Sequence, residues 1–153
     1  METLSLSIIK APIPDDFGMF DELIQEHWEE SAKNKEIMVL KPRYDVYREM
    51  DNKGALINLF AFVNGKVVGY SVNILSNHLH YADLSTAMND IIFISKPYRD
   101  TPLGLRLIHE TEKACKEAGV KLMLWHAKEG SPLAKILPRR KCKVQDIVFS
   151  KEL

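Results

Sequence analysis

Cysteine is nearly absent from the chain: Cys115 and Cys142 are the only two in 153 residues. Two thiols are too few for a disulfide scaffold or for a zinc site built mainly on thiolates, and they predict free thiols in a reducing compartment. Neither sign of charge is in excess. Lys and Arg number 21, Asp and Glu 21, and the pI is near 7.0, which removes the electrostatic footprint of a general nucleic-acid binder. No window approaches the ~18 apolar residues that a membrane helix needs. The stretch Met1 to Ile9 lacks the basic start and long apolar run of a leader. A cytoplasmic protein with no membrane partner is expected. Internal repeats, low-complexity stretches and Gly/Ser- or Pro-rich linkers are also missing, so one domain is expected over 1–153. With 46% apolar residues, a chain of this length buries roughly 70% of its unfolded surface and needs no staple.

What is present reads as alternating strands and helices. Leu4, Leu6 and Ile8 alternate with Ser5 and Ser7 as in a half-buried strand that Pro12 and Pro14 end. Asp15 then suits a helix N-cap, and Phe17, Phe20, Leu23, Ile24, His27 and Trp28 recur at helical spacing. Pro42 to Met50 predicts a short second helix, with Tyr44, Tyr47 and Met50 at three-residue steps. Ala55 to Val63 and Val67 to Leu75 flank Asn64-Gly65, the strongest short-range hairpin signal.

The second half follows the same alternation. Ser76 to Asn89 reads as a polar connection, and Asp90 to Ser95 as a strand buried on both faces. A helical stripe runs from Pro102 to Ala118 and ends at Gly119. Val120 to Trp125 predicts a strand, Leu133 to Leu137 a short helix capped by Ser131-Pro132, and Val144 to Ser150 a closing strand. The order β, α, α, β-hairpin, β, α, β, α, β specifies an α/β (α+β) fold with helices packed on a mixed sheet.

The turn Arg99-Asp100-Thr101-Pro102-Leu103-Gly104, between the 90–95 strand and its helix, would aim free N–H groups and a positive helix end at an anion. This turn, in this order of elements, resembles the GNAT superfamily of acyl-CoA N-acyltransferases. The family loop reads Arg/Gln-x-x-Gly-x-Gly/Ala; Arg99, Leu103 and Gly104 fit it, and Pro102 replaces the first glycine. Ser95-Lys96-Pro97-Tyr98-Arg99 is similar to the family's lead into that loop. His27-Trp28-Glu29-Glu30, Val68-Gly69-Tyr70, His78-Leu79-His80-Tyr81, Gly119-Val120 and Phe149-Ser150-Lys151 resemble small GNAT proteins encoded in phage genomes.

The resemblance implies transfer of an acetyl group from acetyl-CoA to a primary amine in a ternary complex. Pantetheine would lie beside Phe93, Ile94 and Ser95, and the pyrophosphate on the N–H groups of Arg99, Thr101, Leu103 and Gly104. Pro102 has no N–H, so one donor of the cradle is missing. An amine must lose a proton to attack a thioester. Asp90 is the candidate base: it lies four residues before Ile94, which by strand periodicity would put both on one face. His80 would act with it through water, and His126 would face the acyl-transfer region.

Other features remain open between a chemical and a structural role. His78 and His80 would share a face if extended, but no Asp, Glu or Cys completes a metal site. Trp28, Glu30, Tyr44 and Tyr47 fall on the two helices that in the family cover the acceptor groove; carboxylates there would attract a cationic amine. The family's general-acid tyrosine is replaced by Pro138, so Ser131, Tyr47 or water would have to serve. Lys135, Arg139, Arg140, Lys141 and Lys143 form a basic cluster suited to solvent, to CoA phosphates, or to an acidic or nucleic-acid partner. Two further expectations stay open: the chain is catalytic or, in the alternative, a GNAT-shaped binding protein of phage origin, and a homodimer is possible.

Overall fold

The computed structural model describes residues 3–153; Met1 and Glu2, which the leader reading includes, lie outside the described residues. Five strands form one mixed sheet: β1 (Leu6–Lys10), β2 (Leu56–Val63), β3 (Lys66–Asn77), β4 (Ser85–Ile94) and β5 (Leu122–Leu124), in the order β1-β2-β3-β4-β5. The first four pair antiparallel and β5 pairs parallel to β4. Helices α1 (Asp21–Ser31), α2 (Tyr44–Asn52), α3 (Leu103–Glu117) and α4 (Pro132–Ile136) complete the architecture. No helix among the described residues is long and apolar enough to cross a membrane.

The hairpin turns at Asn64 and Gly65, whose φ values of 49° and 80° suit a two-residue turn matched to strand twist. Gly69 is required for another reason: a Cβ there would stand 2.7 Å from the carbonyl oxygen of Phe93, so β3 and β4 pair closely only because it has none.

The sheet buries its two faces differently. Helix α3 lays Leu103, Leu107, Ala114 and Cys115 onto Ile57, Leu59, Ala61 and Val68, with Leu103 and Leu107 entirely buried. Between them a polar chain is fully enclosed: Thr111 Oγ1 donates to the Leu107 carbonyl and lies 3.0 Å from Ser71 Oγ, while Asn89 Nδ2 donates to Asn73 Oδ1. Closing these bonds inside the core avoids the roughly 1–3 kcal/mol penalty of each unpaired group. On the opposite face Phe20 and Leu23 meet Phe60, Val67, Tyr70 and Phe93.

Four expectations are corrected. Asp15 does not cap the first helix: Asp16 accepts the Gly18 N–H, a short 3-10 turn spans Gly18–Phe20, and α1 begins at Asp21. The strand expected from Asp90 starts at Ser85, because the side chains of Thr86 and Asn89, polar in sequence, hydrogen-bond inside the sheet region. Val120 to Trp125 shortens to Leu122–Leu124.

The closing strand at Val144 to Ser150 does not form. Its alternation lacks a partner: β5, the edge it would need, is three residues long, and Lys141 turns the chain with a φ of 64°. Val144, Ile147, Val148 and Phe149 are consequently exposed.

Candidate active site

Strand β4 holds the decisive irregularity. Val72 on β3 pairs with Ile91 and Asn73 with Asn89, so Asp90 has no partner and forms a β-bulge. A bulge shifts every later side chain by one face. Ile91 and Phe93 therefore pack with the α1 face, whereas Ile92 and Ile94 join the α3 core and Asn89 enters its polar chain. Asp90 turns to the α2 side, where Tyr47 Oη donates to its Oδ2 at 2.5 Å. The expectation that Asp90 shares a face with Ile94 is thus corrected: the bulge interrupts the period of two that it assumed.

Past the bulge, β4 also parts from β5. The parallel pairing runs only over Thr86–Leu122, Ala87–Met123 and Met88–Leu124, so from Asn89 to Ile94 the edge facing away from β3 meets no strand. Nearby, α3 begins at Leu103, with Thr101 Oγ1 accepting the Leu103 N–H. Gly104 faces open space, with no atom within 4 Å of a Cβ built on it. An open strand edge beside a helix N-terminus with a vacant approach suits an extended ligand ending in an anion.

The loop is built less freely than its sequence suggests. Arg99 is not available to a phosphate: its Nη1 and Nη2 donate to the two Glu30 carboxylate oxygens at 2.6 Å, its Nε donates to the Ile94 carbonyl, and its guanidinium lies 5.1 Å from the Phe93 ring centroid. Its backbone N–H donates to the Lys96 carbonyl. The bidentate bond holds the Glu30 carboxyl below the usual carboxylate range. Ser95 Oγ donates to Glu26, which also accepts the Lys96 N–H. Of the loop N–H groups expected to hold the cofactor, those of Arg99 and Leu103 are hydrogen-bonded within the loop, which leaves those of Thr101 and Gly104.

On the α1–α2 side lies a cavity of about 380 Å³. Trp28, Tyr44 and Tyr47 line it as expected substrate contacts, while Glu30 does not. Tyr44 stacks on Phe17 at 3.8 Å, and Trp28 Nε1 donates to the Met38 carbonyl, fixing the α1–α2 connection over the opening. Burial and the Asp90 carboxylate raise the Tyr47 phenol well above the ordinary value, so it stays protonated.

His27, read in the sequence as part of a helix stripe and of the His27-Trp28-Glu29-Glu30 string but given no role, stands in the cavity wall. Its ring stacks on Phe93 at 4.4 Å and Nδ1 is 2.6 Å from Tyr70 Oη. Burial pushes its imidazole down to about 4, against an opposing pull from Glu30. Its signal was the aromatic partner two strands away, which one-dimensional spacing does not show.

The two histidines expected at the site, His80 and His126, stand elsewhere. His80 is exposed in the β3–β4 loop, its N–H donating to His78 Nδ1. That loop lies beyond Asn77–Ser85, five residues and roughly 17 Å along β4 from Asp90 at strand rise, so His80 is not brought to it. His126 is exposed just after β5 with no hydrogen-bond partner among the described residues. No cluster of three metal-ligating side chains exists among the described residues. In the basic cluster, Arg140 pairs with Glu112 at 3.0 Å.

Comparison with solved structures identifies the fold. An aminoglycoside acetyltransferase from an uncultured soil metagenomic sample superposes with a TM-score of 0.76 at 15% identity, over 97% of this chain and 99% of that one. The chain has the fold of the GNAT acetyltransferases. Within this GNAT fold it is also similar to a glucosamine-6-phosphate N-acetyltransferase from Arabidopsis thaliana (TM-score 0.69, 13% identity, 97% and 98% covered). A ribosomal-protein-alanine N-acetyltransferase from Brucella melitensis biovar Abortus 2308 gives 0.66 at 14%, with 99% of each chain covered. No family model matches the sequence, and no curated protein does either.

Proposed function

We propose that the chain is an N-acetyltransferase that moves the acetyl group of acetyl-CoA to a primary amine. One observation carries this reading: the bulge at Asp90 sets a carboxylate, through Tyr47, between an open strand edge and a cavity on the α2 side. The donor fits the residues present. The free edge from Asn89 to Ile94 suits pantetheine, and the α3 N-terminus with the empty approach at Gly104 suits the pyrophosphate. When bound, acetyl-CoA supplies the thioester carbonyl.

The chain's own residues handle the proton. Tyr47 Oη already gives its hydrogen to Asp90 Oδ2, and Tyr47 lines the cavity, so its oxygen can accept a proton from an amine held there. As the amine attacks, its N–H proton passes to Tyr47 Oη and the phenol proton moves to Asp90. His27 contributes as a neutral imidazole that orients Tyr70 and covers Phe93. The departing thiolate needs no dedicated acid at Pro138, since an unperturbed thiol has a pKa near ~8.5.

A second reading, a non-catalytic GNAT-shaped binding protein of the phage type, is favoured by the loop: Pro102 lacks an N–H, and the Arg99 and Leu103 amides are already bonded. Thiol release from acetyl-CoA in the presence of an amine panel separates the two. Amine-dependent release of free CoA, with one acetylated amine per thiol by mass spectrometry, is expected. Acetyl-CoA binding without turnover for any amine would favour the binding protein.

A further inference from the structure

The cavity limits which amine can be the acceptor. Its walls are aromatic and aliphatic: Phe17 stacked on Tyr44, with Trp28, Phe60, Ile24 and Val39. Lys41, exposed at the rim, is the one charged residue of its lining among the described residues. Among those residues its lining holds no carboxylate: Asp90 stands behind Tyr47, and Glu30 is held outside by Arg99. Polarity is therefore gathered at one pole, the Tyr47 and His27–Tyr70 end.

We infer that the acceptor is a primary amine on an arylalkyl body, with a single cationic head. This rests on the transferase reading for the reaction but on the cavity alone for the chemical class. A flat apolar ring buries against the Phe17–Tyr44 pair and Trp28, and its ammonium meets aromatic faces and the Tyr47–Asp90 pole. A polyamino sugar would bring several ammonium groups into a space whose lining holds no carboxylate and which has one, Asp90, behind Tyr47 to answer them. A sugar phosphate would face only Lys41. Each would lose hydration without replacement, which such a pocket penalises heavily. A volume of about 380 Å³ lies within the range of small-molecule pockets, about 300–1,000 Å³.

Two independent readouts test this. Calorimetry titrates 2-phenylethylamine, tryptamine, kanamycin and glucosamine 6-phosphate into the protein without acetyl-CoA, and a separate titration uses acetyl-CoA alone. CoA release then ranks the same amines by kcat/KM. The arylalkylamines should bind, and their kcat/KM should exceed those of the two sugars by at least about tenfold. Phe17→Ala should weaken phenylethylamine binding by about tenfold; Phe17→Leu, which keeps the volume and guards against misfolding, should still lose several-fold. Faster acetylation of either sugar, or absence of arylalkylamine binding, overturns the inference while leaving acetyl-CoA use intact. Arylalkylamine binding that Phe17→Ala weakens, with no acetyl-CoA binding, would uphold the cavity's class and overturn the transferase.

Discussion

On the α3 face, Leu103, Leu107 and Thr111 are wholly buried and the side chains of Thr111, Ser71, Asn73 and Asn89 hydrogen-bond to one another in a chain. On the α1–α2 face the same strands end in a cavity, an aromatic cluster and a carboxylate that one tyrosine holds. One residue separates the two regimes. The bulge at Asp90 hands Asn89 to the closed side and Asp90 to the open one. The lesson is that a single extra residue in β4 converts what would be a uniform strand into half scaffold and half site.

The largest expected effect breaks the scaffold. Leu107→Ala should destabilise the protein by about 2–5 kcal/mol, read by urea unfolding, while Ile24→Ala in the cavity wall should lose markedly less because part of its side chain meets no packed neighbour. Equal losses would mean the two faces are equally packed.

Next in size is the site. Asp90→Asn should lower kcat by about 100-fold or more with little change in melting temperature, and Tyr47→Phe should reproduce most of that loss because the proton path runs through its hydroxyl. An Asp90→Asn variant with unchanged kcat would remove Asp90 from the chemistry.

His27 sharpens the contrast through pH. Its folded value of about 4 lies below the unfolded 6.5, so the unfolded chain binds the extra proton first. Stability should be fully present above about pH 6.5 and fall as pH drops toward 4, by roughly 1–3 kcal/mol for a group that keeps some contact with water. His27→Gln should flatten that part of the profile in guanidinium unfolding at pH 4.5, 5.5 and 7. A profile identical to that of the unsubstituted protein would place the sensitivity elsewhere.

The smallest effect is expected at the Arg99–Glu30 pair, whose side chains are 30% and 46% exposed. Glu30→Gln should cost no more than about 1 kcal/mol, and less in high salt. Its functional trace should be larger, since freeing Arg99 leaves a guanidinium beside the loop and should tighten acetyl-CoA binding several-fold by calorimetry.

Much of this was legible in one dimension. Asn64-Gly65 specifies its hairpin because both positions need positive φ, and the 102–118 stripe specifies α3 because its apolar positions recur at helical spacing. Ser85 to Asn89 hid its strand, since Thr86 and Asn89 satisfy much of their polarity against Ser76, Ser71 and Asn73, partners 10 to 18 residues away. Asp90 was singled out as a base, but its face depended on a bulge that spacing assumes away. Glu30 looked like an acceptor contact because its bond to Arg99, 69 residues distant, is invisible in sequence. Val144 to Ser150 carries strand alternation without an edge long enough to receive it.

The most direct test of the donor site is a calorimetric titration of acetyl-CoA into the protein and into Gly104→Trp. A Cβ at Gly104 meets no neighbouring atom within 4 Å outside its own helix turn, so a side chain can start there without strain and circular dichroism should be unchanged. Binding in the unsubstituted protein that the variant loses is the predicted result; equal binding in both, or none in either, would contradict the account.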